Sequence, residues 1–141
     1  SARRRAAVRA SIGAPASMND HIRHFAKHLG ITASVRDALR RRIETRYGRG
    51  FDDIDRIEEL KALGVPALLI HDAGDRHVRF ADSVRLAACL EGSQLIRTHG
   101  LGHFRVLRNP QVVDAATRFV AGDNAALPAE LPPLPRPAPI Y

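Results

Sequence analysis

The sequence predicts an α/β fold with about three parallel strands, flanking helices and an additional helical segment. Two observations predict it. The second half of the chain alternates strand, helix, strand, helix, which is the order of parallel βαβ units. Within it, Val65-Pro66-Ala67-Leu68-Leu69-Ile70-His71 is a short unbroken apolar run after Gly64. That is the pattern of a strand covered by helices on both faces.

The elements follow in order. Residues 6–12 have strand character, ended by Gly13-Ala14-Pro15. Ser17 reads as a helix N-cap, with Asp20 three residues on. Ile22, Phe25, Ala26 and Leu29 give helical spacing, and Gly30 stops it. Ser34 and Asp37 repeat the start signal, and Val35, Ala38, Leu39 and Ile43 share a face that ends near Tyr47-Gly48. A short helix covers Ile57 to Leu63. Asp72-Ala73-Gly74-Asp75 is the turn after the buried strand. Phe80 to Leu90 is a helix with Val84, Ala87 and Ala88 facing inward. Residues 94–98 form a further strand, which runs into His99-Gly100-Leu101-Gly102-His103. The last helix has Asn109 as N-cap and Pro110 in its first position, with Val112, Val113, Ala116, Phe119 and Val120 inward. From Ala125 onward proline dominates, and a tail that is extended or disordered is expected.

Bulk properties narrow the function classes. At 141 residues, 45% hydrophobic and 26% charged, the chain suits one globular domain. No apolar run approaches the roughly 20 residues of a membrane helix. Arg3-Arg4-Arg5 has the charge of a signal peptide without the apolar stretch. A single cysteine, Cys89, excludes an internal disulfide and reads as a packing residue. A cytoplasmic location is expected. The net charge of +7 invites a nucleic-acid reading. Yet the arginines are dispersed, with clusters only at Arg3-Arg4-Arg5 and Arg40-Arg41-Arg42, and aromatics are 5% with no tryptophan to stack bases. A basic nucleic-acid-contacting module is therefore the alternative function and not the leading one.

Parallel sheets place their chemistry on loops at the C-terminal ends of strands. One such loop carries Asp75 and the other carries His103. An imidazole on one strand end can accept a proton from a nucleophile. A carboxylate on the next can hold its tautomer and stabilise the imidazolium. Gly74, Gly100 and Gly102 supply backbone freedom beside both residues.

The run Val65 to Val78, with Asp75 in its turn, resembles the penultimate strand and acid loop of the α/β-hydrolase family. Gly100-Leu101-Gly102-His103-Phe104 resembles that family's histidine loop, and the separation of 28 residues suits it. Arg108-Asn109-Pro110 and the helix after it resemble the family's last helix. The resemblance implies the C-terminal half of an α/β-hydrolase sheet. On that reading 1–15 is a strand of the core, 16–54 a helical cap, 55–122 the C-terminal core and 123–141 a proline-rich tail. It implies Asp75 and His103 as catalytic residues, an ester- or amide-type substrate and no cofactor. It also implies that the cap covers the pocket, where Ile22, Phe25 and Leu29 stand as candidate lining.

The family's Gly-x-Ser-x-Gly elbow does not occur in this sequence, so there is no nucleophile in this chain. Together with the missing initiator Met, this gives the expectation of one part of a larger or split enzyme, inactive alone. Its expected partners are the missing half or a second copy, joined through the edge at 6–12. Competing constellations are weaker. His71, Asp75 and His77 lack a further ligand for a metal, and His21, His24 and His28 read as an exposed helix stripe, so no metal is expected. Asp72 reads as a turn cap and not the acid. His99 lacks the flanking glycines of His103.

Overall fold

The computed structural model describes residues 8–55, 57–123 and 127–133, the side chains at 57 and 58 excepted. The N-terminal arginine cluster, the first residues of the strand expected at 6–12 and the last prolines lie outside them. Three parallel strands form one sheet in the order β1-β2-β3: β1 Arg9–Ile12, β2 Ala67–Asp72 and β3 Gln94–Thr98. Helices α1 Met18–His28, α2 Ala33–Tyr47, α3 Phe51–Ile54 and α4 Ile57–Ala62 separate β1 from β2. Helix α5 Phe80–Cys89 crosses from β2 to β3. Then come α6 Gly102–Arg105, a 3-10 turn at Val106–Arg108 and α7 Pro110–Ala121. The α/β expectation is met.

The apolar run makes β2 the central strand, and every one of its six residues is buried. Its side chains alternate between two cores. Leu68 and Ile70 join Ile96, Val106, Val112, Ala115, Phe119 and Leu131 under α7. Leu69 packs on the other face with Ala16 and Leu86. Burial of each such side chain contributes about 1.5–3 kcal/mol.

Local signals set the helix ends. Ser17 Oγ accepts from the Asp20 N–H at 3.1 Å and itself donates to Asp55 at 2.6 Å. The Asp55 carboxylate also takes the N–H groups of Met18 and Asn19, so an anion sits on the positive end of α1. Asp20 turns outward to Arg23 and Arg85, the latter tying α1 to α5. Helix α2 is capped by Thr32, which accepts from the Val35 N–H at 3.5 Å. Ser34 had looked like the start, but it lies inside the helix. Asn109 and Pro110 begin α7 as expected, with Asn109 Oδ1 accepting from Gln111 and Val112.

Four expectations about faces are corrected. On α1, Ile22 and Ala26 are buried but Phe25 and Leu29 are exposed. Helix α2 buries no residue, and Val35 and Tyr47 face outward. On α5 the inner face is Asp82, Ser83 and Leu86, while Val84 and Ala88 are exposed. The cause is polar: β2 directs His71 at this helix, and Ser83 answers it with a hydrogen bond. On α7, Val112, Ala115 and Phe119 are inward, and Val113 and Val120 are outward. Cys89 is half-buried. Within the expected tail, residues 127–133 dock along the outer edge of β3. Arg97 N–H donates to Ala129 at 2.9 Å, Leu131 N–H donates to Arg97 at 3.0 Å, and Leu131 is buried. Proline removes donors only at its own positions, so the non-proline residues between can still pair. On the opposite edge, β1 has no strand neighbour beyond β2 among the described residues. Among those residues no helix is long and apolar enough to cross a membrane.

Candidate active site

The C-terminal ends of β2 and β3 bring Asp75 and His103 together: His103 Nδ1 lies 2.8 Å from Asp75 Oδ2. The Asp75 side chain is fully buried, and that of His103 is 26% exposed. The acid loop folds onto its own carboxylate, with the N–H groups of His77 and Val78 donating to Asp75 Oδ1 at 2.8 and 2.9 Å. Burial by itself would push this carboxyl up. The Val78 N–H, His103 and the His77 N–H outweigh it and hold Asp75 below its ordinary value. The acid is therefore ionised at neutral pH. A carboxylate only accepts, so His103 Nδ1 carries a proton, and in the neutral imidazole Nε2 presents its lone pair. Nε2 has no hydrogen-bond partner among the described residues.

The histidine loop is built by glycine and arginine. Gly100 and Gly102 have φ of 74° and 63°, which ordinary side chains resist. Arg105 donates to the carbonyls of Leu101 and Gly100 at 3.0 and 2.7 Å, closing the turn that carries His103. The His103 ring stands between His77 and Phe104, with centroids 5.2 and 5.1 Å away. Gly74 has ordinary φ. Its role is room, because a Cβ there would lie 3.2 Å from Asp72 Oδ1.

Asp72 is more than a turn cap. It is fully buried and joins the two loops: Oδ2 accepts from Thr98 Oγ1 at 2.8 Å and from the Leu101 N–H at 2.9 Å, while Oδ1 accepts from the Gly74 N–H. Burial alone would raise its carboxyl. Leu101, Thr98, Gly102 and Gly74 together hold it low. All its oxygens are engaged in holding loops, which leaves Asp75 to face the histidine.

Gly13 ends β1 against the pair. A Cβ on it would sit 3.5 Å from His103 Nδ1 and 3.6 Å from Asp75 Oδ2, and its φ is 61°. Gly13→Ala is expected to cost about 1–2 kcal/mol through left-handed strain. Urea unfolding of the variant checks this.

Three features go beyond what was read from the sequence. His71, read as the end of a buried strand, is fully buried with Nε2 at 3.2 Å from Asp75 Oδ2. Its signal was a histidine in an otherwise apolar buried run, which demands a polar partner. His21, read as part of an exposed stripe, is half-buried on α1 within electrostatic reach of Asp82, His103, His24 and Asp75. Burial pushes its imidazole down, and His103 and His24 add to that against the opposing carboxylates. On the same helix Phe25 and Leu29 are exposed. Helix α3, with Phe51 buried, lies within the helical segment expected at 16–54 but was not expected as a separate element.

The remaining candidates lie elsewhere. Among the described residues no three His, Cys, Asp or Glu side chains converge as a metal set. His99 meets Glu130 at 3.3 Å on the surface. Within Arg40-Arg41-Arg42, Arg40 is paired with Glu44 and Asp52, which reduces the free charge of that cluster. A cleft of about 400 Å³ beside the pair runs between the two loops, lined by Arg76, His77, Leu101 and Phe104 among others. A larger cleft, about 540 Å³, lies at the other end of the sheet by Val65 and Cys89 and holds neither Asp75 nor His103. Family models, curated proteins and solved structures give no match to this chain.

Proposed function

We propose that the chain is the C-terminal part of an α/β-hydrolase acting on an ester or amide bond, with Asp75 as the acid and His103 as the base of its catalytic relay. The observation that supports this most is the 2.8 Å contact between two residues presented by adjacent parallel strand ends, with an ionised, loop-held Asp75 and an open Nε2. In that relay Nε2 takes the proton of an attacking serine, and the imidazolium is stabilised across Nδ1 by Asp75. The proton then passes from Nε2 to the leaving group as the tetrahedral intermediate collapses.

The serine is supplied from outside these 141 residues. Ser17 is committed to capping and to Asp55, Ser83 to His71, and Ser11 lies within β1, opposite Leu69. The chain alone is accordingly expected to leave a fluorophosphonate probe, which labels activated serines, unreacted. Joined to the Gly-x-Ser-x-Gly segment encoded in its own reading frame, it is expected to label, and His103→Ala to abolish the labelling. Labelling unchanged by His103→Ala, or no such segment in the frame, defeats the proposal.

A further inference from the structure

We infer that His71 is a positioning residue for the acid, acting on Asp75 through Val78. This rests on the reading of Asp75 and His103 as a working pair, and it adds a buried member behind them.

His71 is the penultimate residue of β2 and has no exposed surface. Its Nδ1 lies 2.6 Å from Ser83 Oγ on α5, and its Nε2 lies 3.1 Å from the Val78 carbonyl oxygen. A carbonyl can only accept, so Nε2 carries the proton. Nδ1 is then an acceptor, and Ser83 donates to it. Both nitrogens are satisfied, and the tautomer is set by residues from two elements. The same Nε2–H stands 3.2 Å from Asp75 Oδ2, so its positive end faces the carboxylate.

The consequence runs through Val78. Its carbonyl is held by His71, while its N–H donates to Asp75 Oδ1 at 2.9 Å. Anchoring one side of this residue fixes the donor on the other. The His71 ring also packs against Phe80 in a T-shaped arrangement, 5.8 Å between centroids. Ser83, His71 and Val78 thus brace Asp75 at both oxygens, Val78 at Oδ1 and His71 at the Oδ2 that His103 also meets. A carboxylate braced in this way presents one oxygen in one direction, and that is what holds the His103 tautomer.

Long-range ¹H–¹⁵N spectra of the chain read every histidine tautomer separately. The unmodified chain is expected to show His71 as Nε2–H and His103 as Nδ1–H. His71→Phe, which keeps the ring volume but removes the donor, is expected to shift most of His103 to the Nε2–H form. His71→Gln, whose amide can reach Val78, is expected to restore Nδ1–H. A purely structural role would lower the melting temperature in His71→Phe and leave the His103 tautomer alone. That outcome overturns the inference. If the phenylalanine variant does not fold, the unmodified chain and the glutamine variant decide. His71 as Nδ1–H, or a folded His71→Gln in which His103 is no longer Nδ1–H, overturns it. His103 as Nε2–H in the unmodified chain would instead overturn the relay itself, so the two failures are distinct.

Discussion

Asp72→Ala is expected to destabilise the fold by about 3 kcal/mol or more, the largest effect of any single truncation around the two loops. The carboxylate serves the Thr98 hydroxyl and the Gly74 and Leu101 N–H groups, and its removal leaves the buried Thr98 hydroxyl without its partner and releases both loops from their shared anchor. Thr98→Val removes one of these bonds and is expected to cost only about 1 kcal/mol. Urea unfolding at neutral pH compares them. The same network sets the acid limit. Asp72 and Asp75 both have carboxyls held below their ordinary values in the fold. Their contribution is therefore fully present above the unfolded value of about 4, and it is lost as pH falls through the lower folded values. Stability is expected to change little on their account from pH 7 to about 5 and to fall below about 4. Asp72→Asn, which cannot titrate, is expected to be weaker at neutral pH and to show a shallower acid limb.

On the proposed relay Asp75→Asn carries the largest expected effect on chemistry, a fall of about 10⁴ in kcat when the chain is joined to the proposed serine-bearing segment. The amide oxygen can still accept from the His77 and Val78 N–H groups. The amide nitrogen then faces both His103 Nδ1 and the His71 Nε2–H. Against His103 it donates where the carboxylate accepted, which favours the Nε2–H tautomer and removes the base. Against His71 it sets donor against donor. Burst kinetics on an activated ester read the loss directly. KM is expected to change little, because the Asp75 side chain is fully buried.

How far the sequence could be read depended on the range of the interaction. The Ala67–Ile70 part of β2 is legible because a strand covered on both faces favours an unbroken apolar run, which His71 and Asp72 then extend as buried polar residues. The start of α7 is legible because Asn109 and Pro110 are local signals. Asp75 and His103 could be paired in advance because each lies at a strand end in a glycine-marked turn. The faces of α5 and α7 were misjudged by rules that count apolar residues. Ser83 and Asp82 are inward on α5, as Ser83 must be to reach His71. The role of Asp72 depended on Thr98, 26 residues away, which no local pattern connects. His21 shows the same limit. Its three-and-four spacing with His24 and His28 described a helix face, but only the packing of α1 shows that His21 and His24 are half-buried and His28 is exposed.

The long-range ¹H–¹⁵N correlation of His103 in the unmodified chain at neutral pH bears most directly on Asp75 and His103 as acid and base. The expected spectrum has the proton on Nδ1, bonded to Asp75, with Nε2 showing the shift of a free acceptor nitrogen. In Asp75→Asn the proton is expected to move to Nε2. A folded chain in which His103 carries its proton on Nε2, unchanged by that substitution, would contradict an acid–base role for the two residues.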